Sequence, residues 1–431
     1  MTGTAATPED GGTAGNAGGA VGAERDGADA DAAPPRGLEA LAGLRVVELG
    51  VWVAAPAAAA LLADWGADVI KVEAPTGDPM RAIFGSIGIG HDMPNPAFAL
   101  DNRGKRSVAL DLREPGDRQR LEDLLATADV FLTNLRPDAL DKLDLEPGAT
   151  VARHPRLVYC NISGYGLRGE DRDRPTYDIG AFWARSGLSI QMADAEGNPL
   201  NARGGIGDHI TGLAALTGIL AAVLEQRQTG KGRVVEVSLL RTGAYVLGWD
   251  LGIQMALGKV AGSEPRHRNQ APLMNPYKAA DGRWFFFTGL EASRHIPAVC
   301  RALGRPDLLD DPRFADAKAI RKHRREVIAI LDEIIAERPL DEWAERFDRE
   351  GVWWAPAQAP AEVVRDEQLI ANDGFVEIPA GAAGDALRSV NGPVTFRGVA
   401  TGPVAPVPAV GEHTDEVLAE LAAPGGHDTQ P

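Results

Sequence analysis

The sequence predicts an α/β protein built around an open, mostly parallel sheet. From Leu41 to about residue 240, short runs of apolar and β-branched residues alternate with segments whose apolar residues recur at helical spacing. The short runs are almost continuously apolar, which is typical of strands that helices cover on both faces of a sheet. These two patterns indicate a Rossmann-like large domain, and the different pattern that follows indicates a smaller α+β domain.

The first part of the large domain contains five predicted strands. They are expected at RVVELG (45–50), DVIKVE (68–73), SVALDL (107–112), DVFLTNL (129–135) and LVYCNISGYG (157–166). Helices are expected between them at PAAAALLADWGA (56–67), at LEDLLATA (121–128) and from Asp138 to Arg153. A long helix at ITGLAALTGILAAVLEQRQ (210–228) then leads into a strand within GKGRVVEVSLL (230–240).

The later sequence changes in character. PYKAADGRWFFFTG (276–289) places Asp281-Gly282 between two short apolar runs, which predicts a hairpin, and helical segments follow it. We therefore expect four regions along the chain. They are a disordered acidic tail (1–36), the N-terminal part of the large domain (37–240), the small domain (241–350) and a return segment that completes the large domain (351–431).

Composition excludes several classes of function. Lys and Arg total 44 against 61 Asp and Glu, a net charge of −17, which argues against a general nucleic-acid binder. Cys160 and Cys300 are the only cysteines, too few for a disulfide framework or a cysteine-rich metal site, so we expect no metal and a reducing cytoplasm. The tail lacks the apolar segment of a secretory signal, and we expect no membrane association.

Dinucleotide binding is an alternative that the first strands bring to mind. Glu73 ends the second strand, where a dinucleotide-binding fold places its ribose-binding acid. However, the first strand is followed by GVWVAAP rather than G-x-G-x-x-G, so the tight phosphate-binding turn lacks its glycines. The sequence therefore does not support NAD or FAD binding.

The stretch GGIGDHITG (204–212) sets Asp208 and His209 among glycines just before the long apolar helix. One interpretation is that Asp208 caps this helix, since Asp accepts hydrogen bonds from the first free amides. The other is that the carboxylate is a nucleophile, with glycines that let a carbonyl approach and helix-opening amides that stabilise the developing negative oxygen.

Four stretches together resemble the class III CoA-transferase family, which includes formyl-CoA transferase, carnitine CoA-transferase and the α-methylacyl-CoA racemases. They are residues 41–81, NRGKRSVALDLR (102–113), DVFLTNLRPDALDKLDL (129–145) and residues 205–240. The resemblance implies that Asp208 is the catalytic nucleophile. It also implies transfer of CoA between carboxylic acids through an aspartyl anhydride and an aspartyl-CoA thioester, with CoA as cosubstrate and no permanently bound cofactor.

An acidic protein must gather local cations to hold the phosphates of CoA. By the residue types and the resemblance together, the predicted CoA-binding residues are Val53, Ala54, Arg81, Lys105, Arg113, Asn134, Leu135, Arg136, Lys142 and Tyr177. The basic residue that the family usually carries after the second strand is absent, because Ala74 follows Glu73.

The loop around residue 177 separates two reactions of the family. The racemases carry a His immediately before the Asp-Ile of this loop, whereas here Tyr177 precedes Asp178. A Tyr, with an ordinary pKa of about 10, is a poor base at neutral pH, which favours transfer over racemisation. The alternatives are an acyl-CoA racemase or a non-catalytic CoA-binding subunit of a hetero-oligomer. The resemblance also implies an interlocked homodimer.

Overall fold

A computed structural model of the chain describes residues 35–88, 95–194, 196–260, 262 and 265–423. Six parallel strands form its main sheet, in the order β3-β2-β1-β4-β5-β6. They are β1 (Arg45–Leu49), β2 (Asp68–Glu73), β3 (Arg106–Ala109), β4 (Val130–Thr133), β5 (Val158–Ser163) and β6 (Val234–Ser238). This strand order is that of a doubly wound dinucleotide-binding sheet, so the predicted Rossmann-like parallel sheet is confirmed.

Ten helices accompany this sheet in the described part of the chain up to residue 260. They are α1 (Ala54–Asp64), α2 (Ile83–Ser86), α3 (Pro96–Asn102), α4 (Pro115–Thr127), α5 (Pro137–Lys142), α6 (Pro147–Arg153), α7 (Leu188–Gln191), α8 (Ile206–Thr229), α9 (Leu239–Val246) and α10 (Gly248–Leu257). A π-helical segment at Ile179–Ala184 precedes α7.

Helices cover both faces of the sheet, as the continuously apolar strands predict. Within β1, Val46 belongs to the buried cluster that α1 and α8 complete. Its neighbour Val47 belongs to the cluster on the opposite face, with side chains of α4 and α5. Alternate residues of a strand point to opposite faces, so each strand must be apolar at successive positions to fill both layers.

The single helix predicted from Asp138 to Arg153 is wrong, because α5 and α6 are separate. Asp144 lies between them with φ of 58°, a left-handed backbone that cannot continue an α-helix. Pro147 then opens α6, and the Glu146 side chain caps it by accepting from the amides of Gly148 and Ala149 at 3.0 and 2.7 Å.

The later part of the chain has its own buried cluster, formed between Leu273 and Val352. The remaining elements are β7 (Pro276–Lys278), β8 (Trp284–Phe287), α11 (Ala292–Ala302), α12 (Ala317–Lys322), α13 (Arg324–Ile335), α14 (Leu340–Glu350), β9 (Trp354–Pro356), α15 (Pro360–Val363), α16 (Glu367–Ala371), β10 (Phe375–Ile378), β11 (Leu387–Val390) and α17 (Thr414–Ala422). The strands β7, β8 and β9 form a small antiparallel sheet, and β7 and β8 are the predicted hairpin.

The C-terminal segment returns to the main sheet and covers the outer edge of β3. The amide of Ser107 donates to His413 Nδ1 at 3.2 Å, and the amide of Ala109 donates to Thr414 Oγ1 at 3.0 Å. Arg106 pairs with Glu416 of α17 at 3.0 Å. An exposed strand edge invites unwanted pairing, and here the end of the chain protects it.

Two segments bear on the predictions about disorder and about the membrane: the N-terminal tail and the long helix α8. The predicted tail, residues 1–36, lies outside the described residues apart from its last two. By length and composition alone, α8 could cross a bilayer, with a mean hydropathy of 1.5 over its most apolar window. Its buried face packs on α1 and the sheet, where Ala215 and Ile219 are fully covered.

Candidate active site

Asp208 lies in the first turn of α8, at the carboxyl end of the main sheet. Gly205 is the N-cap residue of this helix, with φ of 87°, and Asp208 is the third helical residue. The capping interactions come from another part of the chain: Asp178 Oδ2 accepts from the amides of Gly205 at 3.0 Å and Gly207 at 3.1 Å. The interpretation of Asp208 as the cap is therefore wrong, and its carboxylate is left free for another role.

Glycine is required at positions 205 and 207, before Asp208, for two different structural reasons. Gly205 adopts a left-handed backbone that glycine reaches without strain. At Gly207, a Cβ atom would come within 2.6 Å of the Phe182 ring. Close packing of the first turn against Phe182 thus requires glycine at 207. The amides of both glycines are occupied by Asp178, so these two amides are not available to a developing oxyanion.

The environment of Asp208 makes its carboxyl group unusually basic. Burial raises the pKa of Asp208 to about 7, and the negative charge of Asp178 adds to this increase. His209 acts in the opposite direction. A carboxyl group with this pKa is still ionised in a substantial fraction of molecules at neutral pH, and it is a better nucleophile than an ordinary, fully solvated Asp.

Asp208 opens into a cavity of about 450 Å³. Several predicted site residues line the same cavity: Ala54, Asn134, Leu135, Arg136 and Tyr177. Arg172, Arg174 and Thr176 form the wall that leads to Tyr177. Among the described residues that line it, Asp208 is the one carboxylate.

A second cavity, of about 470 Å³, lies beyond the carboxyl ends of β1, β2 and β3. Arg113 and Lys142 line it, together with Glu73 and Ala74. Val51 and Leu135 line both cavities, so the two are neighbours. The strand order reverses between β1 and β4, which Val51 and Leu135 follow, and parallel sheets bind ligands at this point.

The loop after β1 separates the two cavities and is held in a strained conformation. Trp52 has φ of 66°, and its amide donates to Asp78 Oδ1 at 3.2 Å. Asn134 holds the preceding residue on both sides: its Oδ1 accepts from the Val51 amide at 2.9 Å and its Nδ2 donates to the Val51 carbonyl at 2.7 Å. The Trp52 ring meets Tyr177 edge to face, with centroids 5.7 Å apart.

Val53 is placed beside the start of α8, since a Cβ on Gly205 would lie 4.0 Å from its Cγ1.

Two other predicted CoA ligands, Lys105 and Arg81, line neither the cavity of Asp208 nor the second cavity. Lys105 is fully buried, and its Nζ donates to Glu48 Oε2 at 2.6 Å. Arg81 pairs with Glu73 at 2.6 Å and lines a third cavity. The ammonium group of Lys105 is thus committed to the protein interior, and this placement gives no support to the expectation that it holds a phosphate.

The side chains that support Asp208 were not all identified from the sequence. Asp178, which entered the sequence analysis only as the residue after Tyr177, caps α8 from 27 residues away. Asp101, which no motif marked, contacts the His209 ring across 108 residues of chain. No short-range sequence signal could have found the contact of Asp101, because α3 and α8 are brought together by their common neighbour α1. In the described part of the chain, no group of three or more His, Cys, Asp or Glu residues is arranged to hold a metal ion.

A known protein family matches nearly all of the described chain. The family described as CoA-transferase family III matches residues 41–414. Among solved structures, a CaiB/BaiF family protein from Brucella suis superposes with a TM-score of 0.78 at 28% sequence identity, covering 88% of this chain and 99% of that one.

Two curated relatives share about a third of their residues with this chain. The (R)-2-hydroxy-4-methylpentanoate CoA-transferase of Clostridioides difficile is 34% identical, over 88% of this chain and 95% of its own length. The cinnamoyl-CoA:phenyllactate CoA-transferase of Clostridium sporogenes is also 34% identical, over 88% of this chain and 92% of its own length.

Proposed function

The chain belongs to CoA-transferase family III, and from that membership we propose that it moves CoA from an acyl-CoA donor to a carboxylic acid acceptor, with Asp208 as the nucleophile. The observation that carries the proposal is the position of Asp208. It is a free carboxylate in the first turn of α8, with a pKa raised by burial to about 7, facing a cavity that adjoins a second cavity beyond the sheet.

The proposed reaction stores the thioester energy on the enzyme. An Asp208 oxygen attacks the acyl-CoA carbonyl, the C–S bond breaks, and CoA leaves as the thiolate. The thiolate then attacks the Asp208 carbonyl carbon of the mixed anhydride, which releases the donor acid and forms an aspartyl-CoA thioester. The acceptor carboxylate then takes both steps in reverse. It attacks the aspartyl-CoA thioester, which releases the CoA thiolate and forms a second mixed anhydride, and the thiolate attacks the carbonyl carbon of the acceptor. The new thioester leaves, and Asp208 is regenerated without net proton transfer, metal or ATP.

For CoA, we propose a path from the second cavity to Asp208. Arg113 and Lys142 stand at its outer end, both strongly exposed, where they can meet phosphate groups. Arg113 is bound to Asp111 at 2.6 Å, and Lys142 lies 3.6 Å from Asp138. These exposed pairs cost little to break, so a phosphate can replace the carboxylate as partner. Val51 and Leu135, which border both cavities, would then lie beside the arm of CoA that ends in the thiol.

The cavity that Asp208 faces favours transfer over racemisation. Removing and returning an α-proton requires a base at the α-carbon, and the residue at the family's His position is Tyr177. Tyr177 is exposed and packs against Trp52, which makes it a wall of the cavity. Incubation with an α-methyl acyl-CoA in deuterium oxide should therefore leave the α-position unlabelled, and rapid labelling without CoA exchange would support the racemase alternative instead.

The relatives and the cavity wall indicate which acceptor acids to test first. The two curated relatives are named for a branched and an aromatic 2-hydroxy acid, and the Trp52–Tyr177 wall offers apolar surface to such side chains. A screen should begin with branched and aromatic 2-hydroxy acids and their CoA thioesters, and then extend to dicarboxylic acids.

The nucleophile can be tested directly. Asp208→Ala should abolish transfer and leave CoA binding nearly unchanged, because the carboxylate acts on the acyl group rather than on CoA recognition. Hydroxylamine should inactivate the native enzyme only when acyl-CoA is present, and mass spectrometry should place the adduct on residue 208. An adduct on Asp178, or an Asp208→Ala variant of near-normal rate, contradicts the assignment.

A further inference from the structure

The His209 ring, next to the proposed nucleophile, has an acceptor at each nitrogen. Its Nδ1 lies 2.8 Å from the carbonyl oxygen of Gly205, and its Nε2 lies 3.0 Å from Asp101 Oδ1. A carbonyl oxygen can only accept a hydrogen bond, and so can an ionised carboxylate. Hydrogen bonds to both acceptors require a proton on each ring nitrogen, which is the imidazolium form.

Asp101 is placed to hold that cation. Its side chain is almost completely buried at the end of α3, while the His209 side chain is partly exposed. The hydrogen bond that the ring donates to Asp101 raises the pKa of His209, outweighing the effect of burial. Lys105 acts on Asp101 electrostatically from the other side, although its Nζ is bound to Glu48.

The charges around Asp208 show what the cation does there. Asp178 and Asp101 both disfavour the ionised form of Asp208, and His209 is the charge that favours it. Three arginines line the same cavity, but each is paired with neighbouring acids: Arg136 with Asp138, Arg172 with Asp141 and Asp173, and Arg174 with Asp171. Tyr177 completes the titratable groups of that wall.

The same ring also fixes the backbone that opens α8. Gly205 is held at its amide by Asp178 and at its carbonyl by His209. The Gly205 carbonyl also accepts from the His209 backbone amide at 2.9 Å, so the ring adds a second contact to the one that the helix itself makes.

We propose that His209 is a positioning residue for this enzyme: held as an imidazolium between Asp101 and the Gly205 carbonyl, it favours the carboxylate form of Asp208 and adds a hydrogen bond to the turn that presents it. The electrostatic effect on the reaction rests on the proposed function of Asp208. The charge on His209 does not, and it can be measured without activity.

The first test is the protonation of the ring. In protein labelled with ¹⁵N at histidine, His209 should show two protonated ring nitrogens at pH 7.5, well above the ordinary His pKa of about 6.5. Asp101→Asn should abolish that signature at the same pH, because it removes the charge that holds the proton. A neutral ring in the unaltered protein at pH 7.5 would overturn the proposal.

The second test is the pH dependence of kcat/KM for His209→Gln and Asp101→Asn. His209→Gln should move the acidic limb of the profile upward by about one pH unit, a rate loss of about tenfold below the midpoint. Asp101→Asn should move it upward by less, because this variant removes the negative charge of Asp101 together with the cation. The rate should recover toward the native value at high pH, and KM for acyl-CoA should change little. A uniform loss at every pH with an unmoved midpoint shows a merely structural role and contradicts the proposal.

A matched control separates this effect from general loss of a histidine. His154 is also paired with a carboxylate, Glu122, at 2.9 Å, on the opposite face of the sheet from α8. His154→Gln should leave the profile unmoved. If hydroxylamine fails to trap residue 208 in the native enzyme, the proposed function is wrong while the ring measurement still decides the charge on His209. If trapping succeeds and the profiles do not move, the inference alone fails.

Discussion

At the scale of single residues, three acids have separate roles around the start of α8. Asp178 caps α8, Asp101 holds His209, and Asp208 is left with its carboxylate facing the cavity. This division explains how a helix N-terminus, which ordinarily favours an ionised acid, can carry an Asp whose pKa is raised. Burial and the second acid outweigh the helix terminus and His209 together.

The pH dependence of the native enzyme follows from that balance. Asp208 must be ionised to attack, and burial raises its pKa to about 7. We therefore expect kcat/KM to fall about tenfold per pH unit well below pH 7 and to level off above it. The measurement is the rate of CoA exchange between pH 5 and 9.

Asp178→Asn gives a shift of opposite sign to His209→Gln. The Asn oxygen can still accept from the amides of Gly205 and Gly207, so the helix start is retained. However, the negative charge that raises the pKa of Asp208 is removed, so the acidic limb should move to lower pH. A profile that stays in place, or one that is flat down to pH 5 in the native enzyme, shows that Asp208 ionisation does not control the rate.

At the scale of elements, the loops after β1 and β2 are fixed by a buried ionic network. Lys71 Nζ donates to Glu48, to Asp78 and to the Gly50 carbonyl, each at 3.0 Å. Burial alone would lower the pKa of Lys71, but the two carboxylates raise it, so the ammonium form is retained. Asp78 in turn holds the strained Trp52 amide. The network thus links the strand interior to the loop that borders both cavities.

Removing the cation from this network should destabilise the fold strongly. Lys71→Met leaves Glu48 and Asp78 short of a partner in a fully buried position, which costs about 3–5 kcal/mol of unfolding free energy. Denaturant unfolding followed by circular dichroism measures the change. Lys231→Met is the control, since Lys231 is exposed and its loss should change stability by less than about 0.5 kcal/mol. Similar effects of both variants would show that the network contributes little.

The elements also show where sequence reasoning succeeds and where it stops. Strands such as DVIKVE were predicted because an apolar run between turn residues is a local property. The break between α5 and α6 was missed because the periodic apolar residues continue across Asp144, while its left-handed backbone does not show in that periodicity. For the site, the nucleophile was placed by its glycine-rich context and its family resemblance, whereas its supporting acids depend on contacts between distant segments.

At the scale of the whole molecule, the single chain exposes an apolar surface that a soluble monomer rarely carries. Helices α9 and α10 leave Tyr245, Trp249 and Met255 more than four-fifths exposed. Leu224, on the outward face of α8, is also largely exposed. We propose that a second copy of the chain covers this surface, in keeping with the homodimer that the family resemblance implies.

Sedimentation velocity tests this assembly. The native protein should sediment as a dimer of the 45.5 kDa chain, and Trp249→Asp should shift it toward the monomer, because an unpaired charge would be buried in the interface. Leu309→Asp, at an exposed apolar residue outside that surface, is the control and should leave the dimer intact. A native protein that sediments as a monomer at micromolar concentration rules out the proposed contact.

The covering of β3 by the C-terminal segment has a consequence for biosynthesis. Thr414 follows its partner Ala109 by 305 residues, so at an elongation rate of about 5–20 residues per second the ribosome needs about 15–60 s to deliver it. During that interval the outer edge of β3 lacks this cover, and the cluster between Leu273 and Val352 is complete before the cover arrives. A chain cut short before His413 therefore carries an open strand edge, through which it is prone to pair with another chain.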